Sequence, residues 1–233
     1  MKDNVIDKRI ADLMIKCGFG TLICPIEPVS GGFMHRMYKV KTDSGIYAVK
    51  HLNPEVMRRE GVHDNYERAE KIESLLEKED IPIVPALEVH GKKMQNIDES
   101  YFYIFRWQDG HITGWNHISK EESTTVGNIL GRIHAIAPRN IPHEEPELSN
   151  IPWQKYVQRA EDEKNEIAAV LSDNLQLLIN AEKELNTARA SLPDILCISN
   201  GDMDPKNVMW DKGNPWVIDL ECLDYGNPIS HAL

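Results

Sequence analysis

The sequence predicts an α+β protein with a β-rich first part and a mainly helical second part. Residues 25–52 contain short apolar runs separated by the turn sequences SGG and TDSG, which is typical of an antiparallel meander. A long charged helix is predicted for residues 55–80, and helices dominate the chain after residue 119. Between the parts lies QDGHITGW at 108–115, a Gly-containing stretch without periodicity. The predicted domains are therefore residues 1–106 and 107–233.

The first part is expected to contain a five-stranded sheet and two helices. Apolar residues at helical spacing predict an amphipathic helix over residues 4–17. The long helix ends before Pro82, because proline cannot continue it. Strands are predicted at 25–29, 33–41 and 45–52, followed by PALEVHG (85–91) and SYFYIFRW (100–107) around a polar turn at 91–99.

The second part begins with a helix that Ser119 and Glu122 mark with an S-x-x-E capping box. Further helices are predicted between residues 153 and 191, with a break and a new N-cap at SDN, residues 172–174. The short apolar runs near the C-terminus predict strands. The helical positions expected to face inward are Val157, Ala160, Ile167, Leu171, Leu175, Ile179 and Leu185.

Composition excludes several classes of protein. The formal net charge of −11, without a run of basic residues, argues against a nucleic-acid surface and suits a cationic small-molecule ligand better. The four cysteines form no CxxC pair, and neither a signal peptide nor a segment of about 20 apolar residues is present. These features predict a cytoplasmic protein without a membrane segment or an obligate protein partner.

The segments NGDMDPKNVMW (200–210) and PWVIDLE (215–221) concentrate carboxylates with little cationic charge to offset them. A divalent metal would neutralise that charge. Asp202 is then placed to accept a proton from a substrate hydroxyl, while Asn207 and Asp219 converge on Mg²⁺ held by nucleotide phosphates. An ordinary surface turn would also explain the Asp, Asn and Pro content.

A glycine-rich turn and a strand lysine lie near the other end of the chain. Ser30, Gly31 and Gly32 form a turn whose backbone could approach phosphates, and Lys50 follows on the next strand, in YAVK. Alone, such a turn closes a hairpin and such a lysine points into water. The ordered set, from the glycine turn to Asp219, favours a nucleotide site.

This ordered set resembles the aminoglycoside phosphotransferase and choline kinase group of kinase-like enzymes. The group's pattern, approximately H-G-D-x-H-x-x-N followed by I-D-x-E, matches NGDMDPKN at 200–207 and IDLE at 218–221. The resemblance implies a two-lobed protein-kinase-like fold with ATP and Mg²⁺ between the lobes. It assigns Asp202 as the catalytic base and Asn207 and Asp219 as metal ligands.

The resemblance also assigns the nucleotide contacts. Lys50 would bind the phosphates while paired with a helix glutamate, for which Glu70 is the choice and Glu67 and Glu73 are the alternatives. Arg106 and Trp107 lie where the chain would enter the hinge that binds adenine.

The match departs from the family at two histidine positions, which are Asn200 and Asp204 here. Asn200 is expected to brace the loop through hydrogen bonds. Asp204 is expected to face solvent, with metal binding or contact with a cationic substrate as the alternatives. The chain also ends at Leu233, fourteen residues after Asp219, where related enzymes continue, and a truncated C-terminus is therefore expected.

The expected function is ATP- and Mg²⁺-dependent phosphoryl transfer to a hydroxyl of a small molecule, with an aminoglycoside-like amino sugar as the leading acceptor. A choline-, ethanolamine- or sugar-directed kinase is one alternative. A nucleotide-binding module without transfer activity is the other.

Overall fold

The computed structural model describes residues 2–29, 34–114, 117–137 and 148–231. The α+β class is confirmed: an antiparallel five-stranded sheet, of order β1-β2-β3-β5-β4, is combined with α-helices. The meander predicted for residues 25–52 is also confirmed. The strands of this sheet are β1 (Glu27–Val29), β2 (Arg36–Thr42), β3 (Gly45–His51), β4 (Gln95–Ile97) and β5 (Ser100–Arg106).

The hairpin of β4 and β5 differs from the prediction. A strand was predicted at residues 85–91 and a turn at 91–99, but β4 lies inside that predicted turn. Residues 85–91 contribute isolated bridges, such as Ala86 with Phe105. Asp98 and Glu99 make the two-residue connection with φ angles of 45° and 61°. Such left-handed turns are usually signalled by Asn-Gly or Asp-Gly, which this hairpin lacks.

Helix α1 (Lys2–Lys16) packs one apolar face on the five-stranded sheet. Its Ile10, Leu13 and Met14 are fully buried against strand residues that include Val40 and Phe102. The predicted amphipathic helix is therefore confirmed, with burial of apolar area as its main stabilisation.

Helix α2 (Val62–Lys78) joins the sheet to the later part of the chain. Ile72 and Leu76 belong to a core cluster that also contains residues of the second part. Backbone hydrogen bonds from Val84 to Val217 and from Val217 to Pro82 reinforce this junction. The hydrophobic core thus continues across residue 106.

In the described ranges 117–137 and 148–231, four α-helices follow: α3 (Lys120–His134), α4 (Trp153–Asp162), α5 (Ile167–Asp173) and α6 (Leu175–Ala190). The capping box of Ser119 and Glu122 is confirmed, and the predicted break at 172–174 separates α5 from α6. The prediction of which helical positions face inward is only partly confirmed. Val157 and Ala160 are buried, whereas Ile167 and Leu185 are 50% and 38% exposed.

Five short strands surround the candidate loop. Strands β6 (His111–Ile112), β8 (Val208–Asp211) and β9 (Asn214–Val217) form one antiparallel sheet, and β7 (Cys197–Ser199) pairs with β10 (Asp224–Gly226). Residues 200–207 therefore connect β7 to β8, and Asp219 follows β9. Among the residues that the structure describes, no helix has the length and apolar character needed to cross a bilayer.

Candidate active site

Lys50 extends from β3 into the interior, and its side chain is only 9% exposed. Its Nζ lies 2.7 Å from Oδ1 of Asp219 and 2.7 Å from Oε1 of Glu221. Burial alone would lower the pKa of Lys50, but the adjacent Glu221 and Asp219 carboxylates raise it above its usual value. The lysine therefore stays charged and connects the sheet to residues 219–221.

Asp219 begins the 3₁₀ turn Leu220–Cys222 in the left-handed region, with φ 61° and ψ 62°. Aspartate adopts this conformation more readily than most residues, and such strain concentrates at functional sites. The carboxylate reaches Lys50 while 40% of the side chain remains exposed. Asp219 can thus face both the buried lysine and a ligand in solvent.

Asp202 is oriented by Asn207 within their shared loop. The Nδ2 amide of Asn207 donates to Oδ2 of Asp202 at 2.8 Å and to the Asp202 carbonyl at 2.9 Å. The Asn207 carbonyl accepts from the Ile218 N–H at 2.9 Å, next to Asp219. Asn207 thereby fixes the carboxylate of Asp202 through its side-chain amide and links the loop to the Asp219 segment through its backbone carbonyl.

The donor groups of Asn207 and Asp219 fit Mg²⁺. Because Nδ2 of Asn207 makes both hydrogen bonds to Asp202, the amide oxygen is the group that can bind a cation. Amide and carboxylate oxygens are the hard ligands that Mg²⁺ prefers. The described residues hold no cluster of three or more His, Cys, Asp or Glu suited to a metal. A Mg²⁺ ion here would take its other ligands from phosphates and water, as is usual for this ion.

The expectation that Asp204 faces solvent is wrong. Its side chain is only 10% exposed, and its Oδ1 accepts from the Lys206 N–H at 2.9 Å at the start of the 3₁₀ turn Pro205–Asn207. Lys206 Nζ lies 3.4 Å from carboxylate oxygens of both Asp202 and Asp204. Asp204 therefore caps the turn that presents Asn207.

Asn200 is buried at 2% exposure. Its amide nitrogen lies 4.0 Å from the Met203 sulfur, and its amide oxygen has no hydrogen-bond partner among the described residues. Asn200 therefore donates to a side chain of its own loop, Met203, and not to the backbone.

The pairing of Lys50 with Glu70 is corrected by the structure. Glu70 accepts from the Tyr103 hydroxyl at 2.7 Å and from the Met94 N–H at 3.1 Å, while Lys50 contacts Asp219 and Glu221. The cause is competition: a buried phenol and a backbone N–H already bind Oε1 of this carboxylate. Glu70 still lines the small cavity beside Lys50.

The structure describes only some of the other residues that were predicted to contact the nucleotide. Ser30, Gly31 and Gly32 lie outside the described residues. Arg106 is the last residue of β5. The backbone N–H of Trp107 donates to the backbone carbonyl of Ile46 at 3.1 Å. Lys39 Nζ lies 3.9 Å from the Trp107 ring centroid and so covers the indole. Adenine binding by Arg106 and Trp107 stays a prediction.

Three residues of the site, His35, Tyr66 and Glu221, have no predicted role in the sequence analysis. Glu221 ends the motif IDLE, and that position is the signal from which its contact with Lys50 could be predicted. No signal marked His35 or Tyr66, because their roles depend on long-range packing. His35 Nε2 lies 3.3 Å from both the Tyr66 hydroxyl and Glu221 Oε2, and burial raises the pKa of Tyr66 above its usual range.

Solved structures share this fold. A spectinomycin phosphotransferase, APH(9)-Ia, bound to ADP and spectinomycin, is 14% identical with a TM-score of 0.70, covering 94% of this chain and 69% of that chain. An amicoumacin kinase bound to AMP-PNP and Ca²⁺ is 11% identical with a TM-score of 0.62, covering 100% and 70%. An aminoglycoside phosphotransferase homologue from Ralstonia eutropha is 18% identical with a TM-score of 0.58, covering 97% and 67%.

The family comparison shows the class of protein, a phosphotransferase. The model of the phosphotransferase enzyme family APH matches residues 25–230, and the chain belongs to that family. The resemblance found at residues 200–207 and 218–221 is thereby confirmed. No curated protein matches the chain.

Proposed function

We propose that the protein transfers the γ-phosphoryl group of ATP, with Mg²⁺, to a hydroxyl of a small molecule. One observation carries the proposal: Lys50, Asp219, Asn207 and Asp202 belong to one series of contacts. Lys50 Nζ contacts the Asp219 carboxylate. The backbone N–H of Ile218, next to Asp219, donates to the backbone carbonyl of Asn207, and the side-chain amide of Asn207 donates to Asp202. Phosphoryl transfer needs this combination of a cation, two oxygen ligands and a base.

Each side chain has a separate role in the proposal. Asp202 orients the acceptor hydroxyl and takes its proton as the oxygen attacks the γ-phosphorus. Asn207 keeps the Asp202 carboxylate in place and, with Asp219, holds Mg²⁺. Lys50 moves from Asp219 toward the phosphates. Bound Mg²⁺ supplies charge neutralisation on the phosphate oxygens.

The leading acceptor is an amino sugar related to the aminoglycosides. The family membership supports it. The protein's net charge of −11 also favours a cationic acceptor over an anionic one. Choline, ethanolamine and neutral sugars share the hydroxyl but differ in charge and size, so an acceptor panel distinguishes them.

The proposal includes a two-lobed arrangement with its boundary near residue 106, and ATP between the lobes. The position of Lys50, on the sheet but bound to residues 219–221, supports this placement of the nucleotide. A catalytically inactive nucleotide-binding module is the second candidate, favoured by the departures at Asn200 and Asp204.

Metal-dependent nucleotide binding and turnover test the proposal. Thermal unfolding is measured with ATP and Mg²⁺, and with ATP and a chelator, before phosphoryl transfer is assayed on amino sugars, choline, ethanolamine and neutral sugars. We expect stabilisation that requires the metal, and turnover of a cationic acceptor. Metal-dependent binding without turnover favours the inactive module, and no nucleotide binding contradicts both candidates.

A further inference from the structure

The carboxylates that neutralise Lys50 both lie on the loop after β9. The Lys50 Nζ is 2.7 Å from an oxygen of Asp219 and 2.7 Å from an oxygen of Glu221. The glutamates of α2 that could have taken this place contact other groups. Glu67 contacts Lys71, Glu70 contacts Tyr103 and Met94, and Glu73 contacts Lys93 and Ala86.

The two carboxylates differ in what else they can bind. Asp219 is 40% exposed and is the expected metal ligand, whereas Glu221 is 15% exposed. A carboxylate that binds Mg²⁺ has less negative charge to offer to a lysine. Glu221 is therefore the partner that can hold Lys50 when Asp219 is needed elsewhere.

His35 holds the second oxygen of Glu221. The backbone N–H of Asn53 donates to Nδ1 of His35 at 3.0 Å. Because a backbone N–H can only donate, Nδ1 carries no proton in this contact, and the proton of the neutral ring lies on Nε2. That Nε2 lies 3.3 Å from Oε2 of Glu221 and also 3.3 Å from the Tyr66 hydroxyl, so its proton faces both oxygens. The imidazole is 7% exposed, so water competes little for this contact.

We propose that His35, in its Nε2–H tautomer, positions Glu221 as the lasting carboxylate partner of Lys50, in the place expected for a glutamate of α2. His35 is a positioning residue that acts through Glu221. The effect of His35 on ATP binding rests on the proposed function. The pairing of Lys50 with Glu221 does not.

Burial supports a precise role for this group of contacts. Glu221 is only 15% exposed, and its two oxygens lie 2.7 Å from Nζ of Lys50 and 3.3 Å from Nε2 of His35. A carboxylate held away from water in this way depends on each of these contacts. Loss of the His35 donor should therefore displace Glu221 and, with it, Lys50.

Two substitutions of His35 distinguish a role in positioning Glu221 from a purely structural role. In His35→Gln the amide nitrogen reaches about as far as Nε2 and keeps the donor toward Glu221. In His35→Asn the amide oxygen replaces Nδ1 and keeps the acceptor for Asn53, but the donor is lost. We expect His35→Asn to weaken binding of ATP with Mg²⁺ about tenfold, the size expected for a hydrogen bond to a charged group, and His35→Gln to retain it. The opposite order, or equal affinities in both variants, would overturn the positioning role.

Double-mutant cycles test the pairing without nucleotide. Urea unfolding is measured for Lys50→Met, Glu221→Gln, Glu70→Gln and the two double variants that contain Lys50→Met. The proposal expects Lys50 to couple with Glu221, so that the double variant loses less stability than the two single changes add to, and to show no coupling with Glu70. Coupling with Glu70 alone would overturn the proposal.

The tautomer has its own readout. In protein labelled with ¹⁵N at histidine, the ring nitrogens of His35 are expected to show a protonated Nε2 and an unprotonated Nδ1, and a proton on Nδ1 would overturn the proposal. If wild type bound no nucleotide, the proposed function would fail, while the cycles and this spectrum would still decide the inference.

Discussion

The two halves of the candidate site are held together in different ways. The Lys50 cluster, defined as Lys50, Asp219, Glu221 and His35, joins residues as distant in sequence as His35 and Glu221, which are 186 positions apart, and buries its central charge. The Asp202 loop, residues 200–207, closes on itself through contacts four and five positions apart, and its Asp202 side chain is 36% exposed. Substitutions in the cluster should therefore affect stability and binding, while substitutions in the loop should affect rate.

The largest expected effect is on catalysis, in the Asp202 loop. Asp202→Asn keeps the shape of the side chain but removes the proton acceptor, so kcat should fall by roughly two or more orders of magnitude. Nucleotide affinity and the urea midpoint should stay close to wild type. The assay is steady-state phosphoryl transfer, with Asp211→Asn on β8 as the matched control. Full activity in Asp202→Asn would show that the base is misassigned.

The next effect concerns stability, in the Lys50 cluster. Lys50→Met leaves the buried Glu221 carboxylate without its cation, and breaking a buried ion pair costs about 3 kcal/mol or more of unfolding free energy. Adding Glu221→Gln should restore part of the loss, because the unpaired charge is then gone. Urea denaturation measures both. An unchanged unfolding free energy in Lys50→Met would mean that the pair adds nothing to the fold.

A smaller effect is expected from His51, on the pH dependence of the unfolding free energy. His51, next to Lys50, is 8% exposed and stacks on Phe102, and its Nε2 has no hydrogen-bond partner among the described residues. Burial, followed by the charges of Arg36 and Arg9, lowers the pKa of His51 below its usual 6.5.

Because its pKa is lowered, the neutral form of His51 is favoured in the folded state. The stability that His51 contributes is present above about pH 6.5 and is lost as the pH falls through its lowered value. Wild type should therefore lose more unfolding free energy than His51→Gln between about pH 8 and about pH 5.5. Parallel pH profiles for the two proteins would exclude His51 as a source of acid sensitivity.

The smallest effect is expected at Lys206, whose contacts with Asp202 and Asp204 are 3.4 Å long and whose side chain is 42% exposed. Exposed ion pairs of this kind contribute little to stability. Lys206→Gln should leave the urea midpoint unchanged within error. A clear destabilisation would show that this loop, like the Lys50 cluster, depends on ion pairing for its fold.

Local signals predicted much of the fold and one half of the site. The meander of residues 25–52, the capping box of Ser119 and Glu122, and the break before α6 all depend on neighbouring residues. The sequence also placed Asp202 and Asn207 in one loop, where five positions limit the separation of their side chains, although it did not predict the hydrogen bond between them.

Long-range competition explains what the sequence could not provide. Helical spacing places Glu67, Glu70 and Glu73 at successive turns, but it cannot show which groups already bind them. Lys71 contacts Glu67, while Tyr103, Lys93 and two backbone N–H groups bind the other two. The choice of Glu221 depends on packing that joins β2, β3, α2 and the loop after β9. The exposed apolar positions of α5 and α6 were missed for a similar reason, since periodicity gives a face but not its neighbour.

The most direct test of the central claim is whether one ATP-dependent metal site unites these distant segments. Mn²⁺ replaces Mg²⁺, and water-proton relaxation is measured with ATP in wild type, Asn207→Ala and Asp219→Ala, with Asp211→Ala as the control. The account predicts strong ATP-dependent enhancement in wild type and the control, and its loss in both site variants. Equal enhancement in all four proteins would contradict it.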